Sequence, residues 1–316
     1  MQLTILLLAW AGAILWPLVL GFALWRGLKR GRGPGAFGWV FIAFVTVLWG
    51  LGIRAFLWEP ETLEVRRVEV VSRTWSGPAL RIGVISDTHM GAPHMSVARL
   101  NSIVQRMNSE RPDIVVLLGD FVGGHEPAER RSAAERSQVL SGVPPLARLQ
   151  APLGVWGVLG NHDWWYDGAA IERELEAQKI QVLEKERVLI NRPAGPFWLA
   201  GLADYDSLRK KPSYMETLAD LTTGEPVLAI SHWPDVFAAA PDDVALTLAG
   251  HSHCGQVNLP FLGRLVHASP GAERWKCGLY EERGRKLYVT GGVGVSILPA
   301  RFLQPPEIAV ITLHGQ

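Results

Sequence analysis

The chain has 316 residues, enough for one large domain or two of ordinary size. Its 31 Lys and Arg residues nearly balance its 30 Asp and Glu residues, giving a formal net charge of +1. No global basic field is present, so nucleic acid is not expected as a partner. Hydrophobic residues make up 48% of the chain, and the Trp-rich N-terminal end has the composition of a membrane segment.

The first 58 residues predict two transmembrane helices joined by a basic loop. Residues 3–25 contain no charged side chain, and about 20 apolar residues suffice to cross a bilayer as a helix. A second uncharged run covers residues 36–53. Only Met1 and Gln2 precede the first run, so the basic start of a cleaved signal peptide is missing. We therefore expect the first helix to be retained.

The loop between the two apolar runs predicts the orientation in the membrane. It is short and carries four basic residues: Arg26, Lys29, Arg30 and Arg32. Such a loop favours the cytoplasmic side. Basic residues also follow the second run and argue the other way: Arg54, Arg66, Arg67 and Arg73. On balance we expect a two-pass protein of the inner (cell) membrane, with the rest of the chain outside the cytoplasm.

From about residue 80 the sequence alternates between short apolar runs and polar stretches with helical spacing. The apolar runs predict strands at Leu80–Ser86, Asp113–Leu118, Gly154–Leu159, Pro226–Ile230 and Val244–Leu248. The polar stretches predict helices at Val97–Asn108, Ala133–Leu149 and Ala169–Gln178. This alternation is typical of an α/β domain, here residues 80–316, with residues 59–79 predicted as a linker.

A polar signature ends each predicted strand. The five signatures are Ser86-Asp87-Thr88-His89, Gly119-Asp120, Gly160-Asn161-His162-Asp163, Ser231-His232 and Gly250-His251-Ser252-His253. In open α/β sheets the carboxyl ends of the strands are where sites are built. We therefore expect these side chains to converge on one edge.

The chemistry of this set points to metal ions. A lone pair such as His251 and His253 could be no more than a turn with two imidazoles, but the set as a whole combines carboxylates, a carboxamide and imidazoles. Mixed oxygen and nitrogen ligands suit manganese, iron or zinc. Seven ligands are too many for one open site, and they suit two divalent ions about 3.5–4 Å apart that share a carboxylate.

In this order the five blocks resemble the calcineurin-like metallophosphoesterase signature. The resemblance covers roughly residues 80–313. It extends to features of the bacterial membrane-associated branch: GHxHxGQ, a GLY segment at 278–280, a late GxG at 292–294 and PPEI at 305–308. Cys254 departs from that pattern, because Gly is expected there, and it leaves a thiol beside a metal ligand.

The resemblance implies a four-layer α/β/β/α sandwich with two central sheets, preceded by the transmembrane hairpin. It implies a first metal ion on Asp87, His89, Asp120 and His253. It implies a second on Asp120, Asn161, His232 and His251, with Asp120 bridging. His162, oriented by Asp163, would stabilise charge on the phosphoryl group or protonate the leaving oxygen. The implied reaction is direct hydrolysis by metal-activated hydroxide, without a covalent enzyme intermediate.

A membrane anchor also bears on the substrate. Tethering raises the local concentration of envelope lipids and gives no advantage with a soluble nucleotide. We therefore expect a phosphodiester, pyrophosphate or phosphomonoester on a lipid or cell-envelope intermediate. The alternatives are a general phosphodiesterase or phosphatase of soluble substrates, and a non-catalytic, metal-bound membrane scaffold. The presence of every expected ligand and of His162 argues against the scaffold.

Several residues outside the five blocks allow two interpretations. Four histidines are expected on the surface or in the core, although the second could line the substrate cleft: His94, His125, His267 and His314. Three aromatic residues predict either core packing or a wall for a lipid or sugar: Trp164, Trp165 and Tyr166. Three arginines predict a solvated helix face or, less simply, a contact with anionic lipid: Arg130, Arg131 and Arg136. Cys254 and Cys277 could pair, stay free or lie near a metal.

Overall fold

The computed structural model describes residues 1–31, 33–221, 224–264 and 268–316. Two apolar helices come first, α1 (Gln2–Lys29) and α2 (Ala36–Ile53). A π-helical turn and a 3-10 turn continue the second helix to Glu61. Both helices are long enough to cross a membrane, and their apolar windows are not buried against the rest of the protein. Helices that expose apolar side chains in this way are suited to lipid.

The two apolar helices form an antiparallel pair. The Trp49 indole donates a hydrogen bond to the carbonyl of Gly12 at 3.2 Å, and the Trp16 indole donates to Thr46 Oγ1 at 3.3 Å. Within an apolar segment such bonds satisfy polar groups that lipid cannot. Two hydrogen bonds, at different positions along the helices, therefore connect α1 with α2.

The end of the second apolar helix is bonded directly to the remainder of the protein. The backbone N–H of Arg301 donates to the carbonyl of Ala55 at 2.9 Å. The backbone N–H of Gln304 donates to Glu59 Oε1 at 2.6 Å, and the same carboxylate pairs with Arg54 at 2.9 Å. The α/β domain is thus attached at the point where α2 leaves its apolar run.

The remaining elements follow in chain order. The strands are β1 (Glu64–Ser72), β2 (Leu80–Ile85), β3 (Ile114–Leu117), β4 (Val155–Gly157), β5 (Gln181–Val182), β6 (Glu186–Ile190), β7 (Phe197–Gly201), β8 (Val227–Ile230), β9 (Val244–Ala249), β10 (Asn258–Leu259), β11 (Gly263–Arg264), β12 (Gly278–Glu282), β13 (Arg285–Val289) and β14 (Glu307–Gly315). The helices are α3 (Val97–Ser109), α4 (Ala133–Leu140), α5 (Val143–Leu146), α6 (Asn161–Ala177), α7 (Tyr214–Thr217) and α8 (Pro270–Arg274).

The strands form two six-stranded sheets and a small hairpin. The first sheet has the order β1-β14-β2-β3-β4-β5, and the second has the order β12-β13-β9-β8-β7-β6. Strands β2 to β5 are parallel to one another, as are β13, β9, β8 and β7. The polar segments that follow β2, β3, β4, β8 and β9 therefore leave the sheets at carboxyl ends.

Alternating side chains divide the interior into three apolar layers. Ile82 and Val84 of β2 face the space between the sheets, where they join Leu228 and Leu246 of the second sheet. Ile85 points the other way, into the layer covered by α3, α5 and α6. The outer face of the second sheet is covered by α7, α8 and the turn at 234–239. The four-layer α/β/β/α sandwich expected from the resemblance is confirmed.

Three predicted segments differ from the structure. Residues 59–79, predicted as a linker, contain β1, which pairs in parallel with β14, buries Val70 and exposes Arg66 and Arg67. The predicted helix 133–149 is two helices, because Pro144 and Pro145 lack the N–H groups that would continue α4. Helix α6 begins at Asn161, so the GNHD block forms its first turn.

A disulfide joins the two cysteines, which the sequence left open. Cys254 and Cys277 are bonded, with their Cα atoms 4.8 Å apart, and they close a loop of 23 residues. The bridge fixes the turn that carries His253 to the segment before β12. The only two cysteines of the chain are therefore structural and do not act as metal ligands.

Replacing both cysteines by Ser should destabilise the α/β domain. A closed loop of this length contributes about 3 kcal/mol by restricting the unfolded chain. We expect the Cys254→Ser, Cys277→Ser variant to melt at a lower temperature than the native protein under oxidising conditions. Reductant should lower the melting temperature of the native protein and leave that of the variant unchanged. An equal effect of reductant on both proteins would contradict this account.

Candidate metal centre

The polar signatures converge where the central strands of both sheets end. Asp87 follows β2, Asp120 follows β3 and Asn161 follows β4, while His232 and His251 follow β8 and β9 of the second sheet. Every one of the predicted metal ligands is buried: Asp87, His89, Asp120, Asn161, His232, His251 and His253. Burying so many polar groups is costly unless they share a common partner.

One group of ligand atoms lies around Asp87. Its Oδ1 is 3.3 Å from His253 Nε2, and that nitrogen is 3.0 Å from His89 Nε2. His89 Nε2 in turn lies 3.5 Å from Asp120 Oδ2. These are the four residues implied for the first metal.

A second group lies around His232. His232 Nε2 is 3.4 Å from Asp120 Oδ2, 3.1 Å from His251 Nδ1 and 3.2 Å from Asn161 Oδ1. These are the residues implied for the second metal. One carboxylate oxygen, Asp120 Oδ2, approaches both groups.

The donor set fits divalent cations. Asp87 Oδ1 is buried without a hydrogen-bond partner, and the facing Nε2 atoms of His89 and His253 both point at the same small space. A bound cation would satisfy an orphaned buried oxygen beside converging imidazole nitrogens. Manganese, iron and zinc all accept this mixture, so the donors do not select among them.

Backbone strain is concentrated at the same residues. Asp87, His89, Asp120, His251 and His253 all have positive φ, between 45° and 65°. Non-glycine residues avoid this region at a cost of roughly 1–3 kcal/mol each in the sparsely populated conformations. The surrounding sheets hold the ligands in these conformations.

Two glycines make room for the carboxylates. A Cβ atom on Gly160 would lie 2.3 Å from Asp120 Oδ1, and one on Gly250 would lie 2.8 Å from Asp87 Oδ2. Each is closer than real Cβ contacts allow. The GNHD and GHSH blocks therefore need glycine at their first position.

Burial and neighbouring charges set the protonation of the centre. Burial lowers the pKa of both His89 and His251 to about 3, so their rings stay neutral and keep a lone pair for an ion. Burial raises the pKa of Asp87 to about 6. Burial alone would lower the pKa of His232, but the charge of Asp120 outweighs it and raises that pKa to about 10, so an ion that binds to His232 would displace its proton.

His162 stands beside the metal ligands with a fixed ring. Its Nδ1 donates to the carbonyl of Gly124 at 2.8 Å, and its Nε2 lies 3.9 Å from Asp120 Oδ2. The backbone N–H of His162 also donates to Asp120 Oδ1 at 2.9 Å. Nε2 is therefore the atom that is available to a reacting group.

Asp163 does not orient His162 directly, which corrects the implied contact. Its Oδ2 accepts from the backbone N–H of Gly160 at 2.9 Å, and its Oδ1 accepts from that of Val122 at 3.1 Å. Asp163 sits in the first turn of α6, where a carboxylate caps free N–H groups. It positions His162 through the 122–124 segment, which carries Gly124, and through its bond to Gly160 at the start of α6.

A cavity of about 140 Å³ opens beside Asp120 and His162. Its walls include His125 and Trp165, which stack on each other with ring centroids 5.3 Å apart, and the apolar Ile297 and Leu298. Trp165 is 38% exposed, whereas Trp164 and Tyr166 are buried in the core. Of the aromatic run, only Trp165 forms a wall, and His125 lines the cleft.

Three further residues that allowed two interpretations have structural partners. His94 contacts Glu61 and the carbonyl of Pro299, and His314 pairs with Glu69. Arg136 donates to backbone carbonyls of its own segment. His267 lies outside the described residues.

Sequence reasoning missed two residues that support the centre. Trp233 stacks on the His251 ring at a centroid distance of 4.0 Å, and its position directly after the SH block is the only signal. Arg301 is fully buried, donates to the carbonyls of Gly291 and Gly294, and reaches within 3.4 Å of His253 Nδ1. No local pattern marks Arg301.

Replacing Arg301 by Met should destabilise the protein strongly. The change leaves several buried carbonyls without a donor, and each unsatisfied buried group costs about 1–3 kcal/mol. The melting temperature of the Arg301→Met variant should be much lower than that of the native protein. Arg274→Met, at an exposed arginine paired with Glu282, is the matched control and should change stability by less than about 1 kcal/mol. Equal losses in both variants would contradict this role.

Comparison with known proteins identifies the family. A family model described as calcineurin-like phosphoesterase matches residues 80–255, more than half of the chain. The chain therefore belongs to the calcineurin-like phosphoesterase family, and it is a metal-dependent phosphoric ester hydrolase. The sequence resemblance is thereby confirmed at the level of the family.

Two relatives extend beyond the matched segment. An uncharacterised metallophosphoesterase of Bacillus subtilis, YkuE, is 28% identical over 288 residues, which are 89% of this chain and 96% of that protein. A transmembrane protein with metallophosphoesterase domain from Danio rerio is 28% identical over 305 residues. Those residues are 91% of this chain but only 65% of the fish protein, which is therefore substantially longer.

Solved structures are more distant. A dimetal phosphatase from Danio rerio is 17% identical, with a TM-score of 0.41, and the match covers 68% of this chain and 88% of that one. The NAD nucleotidase of Haemophilus influenzae is 13% identical, with a TM-score of 0.45, and the match covers 69% and 46% of the two chains.

Proposed function

We propose that the protein is a membrane-anchored, dinuclear phosphoesterase that hydrolyses a phosphodiester, pyrophosphate or phosphomonoester on a lipid or cell-envelope intermediate. The observation that carries the proposal is the pair of ligand groups that share Asp120 Oδ2. The first ion would be held by Asp87, His89, Asp120 and His253. The second would be held by Asp120, Asn161, His232 and His251.

The protein's own residues supply positioning and a proton. Bound divalent cations would contribute Lewis-acid activation of water and offset negative charge on the phosphoryl group. His162 is fixed by the hydrogen bond from its Nδ1 to the Gly124 carbonyl, so the doubly protonated form of the ring can donate its Nε2 proton to the departing oxygen. Asp163 holds the segment that carries Gly124 and is a positioning residue.

The membrane location rests on two independent features. The two exposed apolar helices are suited to lipid, and their basic connecting loop favours the cytoplasmic side. The Cys254–Cys277 disulfide favours an oxidising compartment for the α/β domain. Both features support a two-pass inner-membrane protein with its catalytic domain outside the cytoplasm.

The first test is hydrolysis by the full-length protein in nanodiscs. The protein is stripped with a chelator and resupplied separately with manganese, iron(II) or zinc. It is then offered a soluble chromogenic diester, a soluble monoester and a lipid-borne diester. Metal-dependent turnover with two ions bound per chain, and preference for the lipid ester, would support the proposal.

Other outcomes favour the alternatives. Equal turnover of soluble and lipid-borne esters would indicate a general phosphodiesterase or phosphatase whose anchor only sets its location. Two bound ions without turnover of any ester would contradict an enzyme acting on these esters and favour the scaffold. Binding of only one ion at saturation would refute the dinuclear assignment.

A further inference from the structure

A larger cleft connects the metal centre with the first membrane helix. Its volume is about 680 Å³, within the range of sites for small molecules. His89 and His162 line one end, and the first three residues of the chain, Met1 to Leu3, line another part of the wall. Because α1 begins at Gln2, the same cavity touches both the reactive residues and the start of an apolar helix.

The wall near α1 is apolar and open. Leu3 is 64% exposed and Ile297 is 46% exposed, and both line this cleft. Ile297 also lines the smaller cavity beside Asp120, so the two spaces meet at that residue. A molecule with its tail in the bilayer beside α1 can therefore extend its head to the metal centre without leaving the cleft.

The lining of the cleft also includes an arginine without a partner among the described residues. Arg131 is occupied by the carbonyls of Gly123 and Glu126, and Glu135 is occupied by Ser132. The Arg130 side chain, in contrast, makes no hydrogen bond or ion pair with any residue that the structure describes. The Glu126 carboxylate also lines the cleft, makes no hydrogen bond with any residue that the structure describes, and interacts electrostatically with His125 and Arg131.

We propose that this cleft is the entrance for a phosphorylated lipid, whose acyl chains stay in the bilayer beside α1 while Arg130 binds an anionic part of its head. The inference rests on the proposed function and adds the route and a specificity residue. Glu126, which also lines the cleft, disfavours excess negative charge. The cleft thus selects a substrate by its attachment to the membrane as well as by its phosphoester.

Blocking the cleft tests the route. Gln138 lines it from α4, whereas its neighbour Ser137 is exposed on the same helix and does not. Gln138→Trp is expected to lower kcat/KM at least tenfold for a p-nitrophenyl phosphodiester of dioleoylglycerol in phosphatidylcholine nanodiscs. Turnover of soluble bis(p-nitrophenyl) phosphate should change less than twofold, and Ser137→Trp should change neither. If Gln138→Trp left kcat/KM for the lipid ester unchanged, or slowed both esters equally, the proposed route would be wrong.

The charge assignment has its own test. Arg130→Gln should raise KM for the anionic lipid ester severalfold and leave kcat unchanged. Glu126→Gln should lower KM for the same ester. Arg173→Gln, at an exposed arginine of α6 outside the cleft, is the matched control. Shifts of the same sign in the Arg130 and Glu126 variants would overturn the assignment.

Failure of the proposed function is distinguishable from failure of this inference. If the native protein hydrolyses neither ester, lipid entry is measured instead by photo-crosslinking from benzoylphenylalanine at position 138. The nanodiscs then contain phosphatidylcholine and phosphatidylglycerol, and position 173 serves as the control. Lipid adducts at 138 alone would support the entrance, and equal or absent adducts would overturn it.

Discussion

Replacing Asp120 by Asn is expected to reduce ester hydrolysis at least about 10³-fold, since several kcal/mol of lost charge stabilisation corresponds to a factor of ten for every 1.4 kcal/mol. The substitution keeps the shape of the side chain and removes the one carboxylate that approaches both ligand groups. Metal content, measured by elemental analysis after dialysis, should fall below two ions per chain.

Asp243→Asn provides the control for Asp120, because Asp243 is an exposed aspartate outside the centre. Its metal content and turnover should match those of the native protein. The helical and strand content of the Asp120 variant is checked by circular dichroism, so that unfolding is recognised. Two retained ions and native turnover in a folded Asp120→Asn variant would rule out the bridging role.

Replacing His162 by Asn should have a different signature. Metal content should stay native, because neither of the two proposed ligand groups includes His162, whose Nε2 lies 3.9 Å from Asp120 Oδ2. Hydrolysis of an alkyl ester should fall by about 10²–10⁴, the usual contribution of a positioned proton donor. Hydrolysis of a p-nitrophenyl ester should fall far less, because that group leaves without protonation.

The comparison of leaving groups makes the His162 experiment specific. A variant that merely distorted the centre would slow both esters equally and would also lose metal. His314→Asn, at a histidine paired with Glu69 on the surface, should leave both rates unchanged. Equal slowing of the alkyl and p-nitrophenyl esters would contradict proton donation by His162.

The metal centre was predictable because its signals are local. Each ligand block directly follows an apolar run, and the five predicted strands lie within two residues of the observed bounds. The sequence order of Asp87, Asp120 and Asn161 then matches the side-by-side order of β2, β3 and β4. Polar residues at the carboxyl ends of neighbouring parallel strands lie at the same edge of the sheet, so they come close together.

Features that depend on distant pairing were not predictable in the same way. No local sequence pattern indicates that β14 inserts between β1 and β2. Likewise, no local pattern indicates that the carbonyl of Gly124, and not Asp163, holds the His162 ring. The burial of Arg301 likewise depends on carbonyls of the 291–294 segment, which is placed by the second sheet. These contacts depend on tertiary packing between distant segments, so local sequence patterns do not predict them.

The position of β14 has a consequence for biosynthesis. It follows every other described strand in the chain, yet it lies between β1 and β2 in the first sheet. The ribosome therefore completes α1 and α2 long before the sheet can close. Until residues 307–315 emerge, the inner edge of β2 and the whole of β1 lack their partner. During this interval, the nascent domain presents open strand edges, which are the surfaces that chaperones would have to protect.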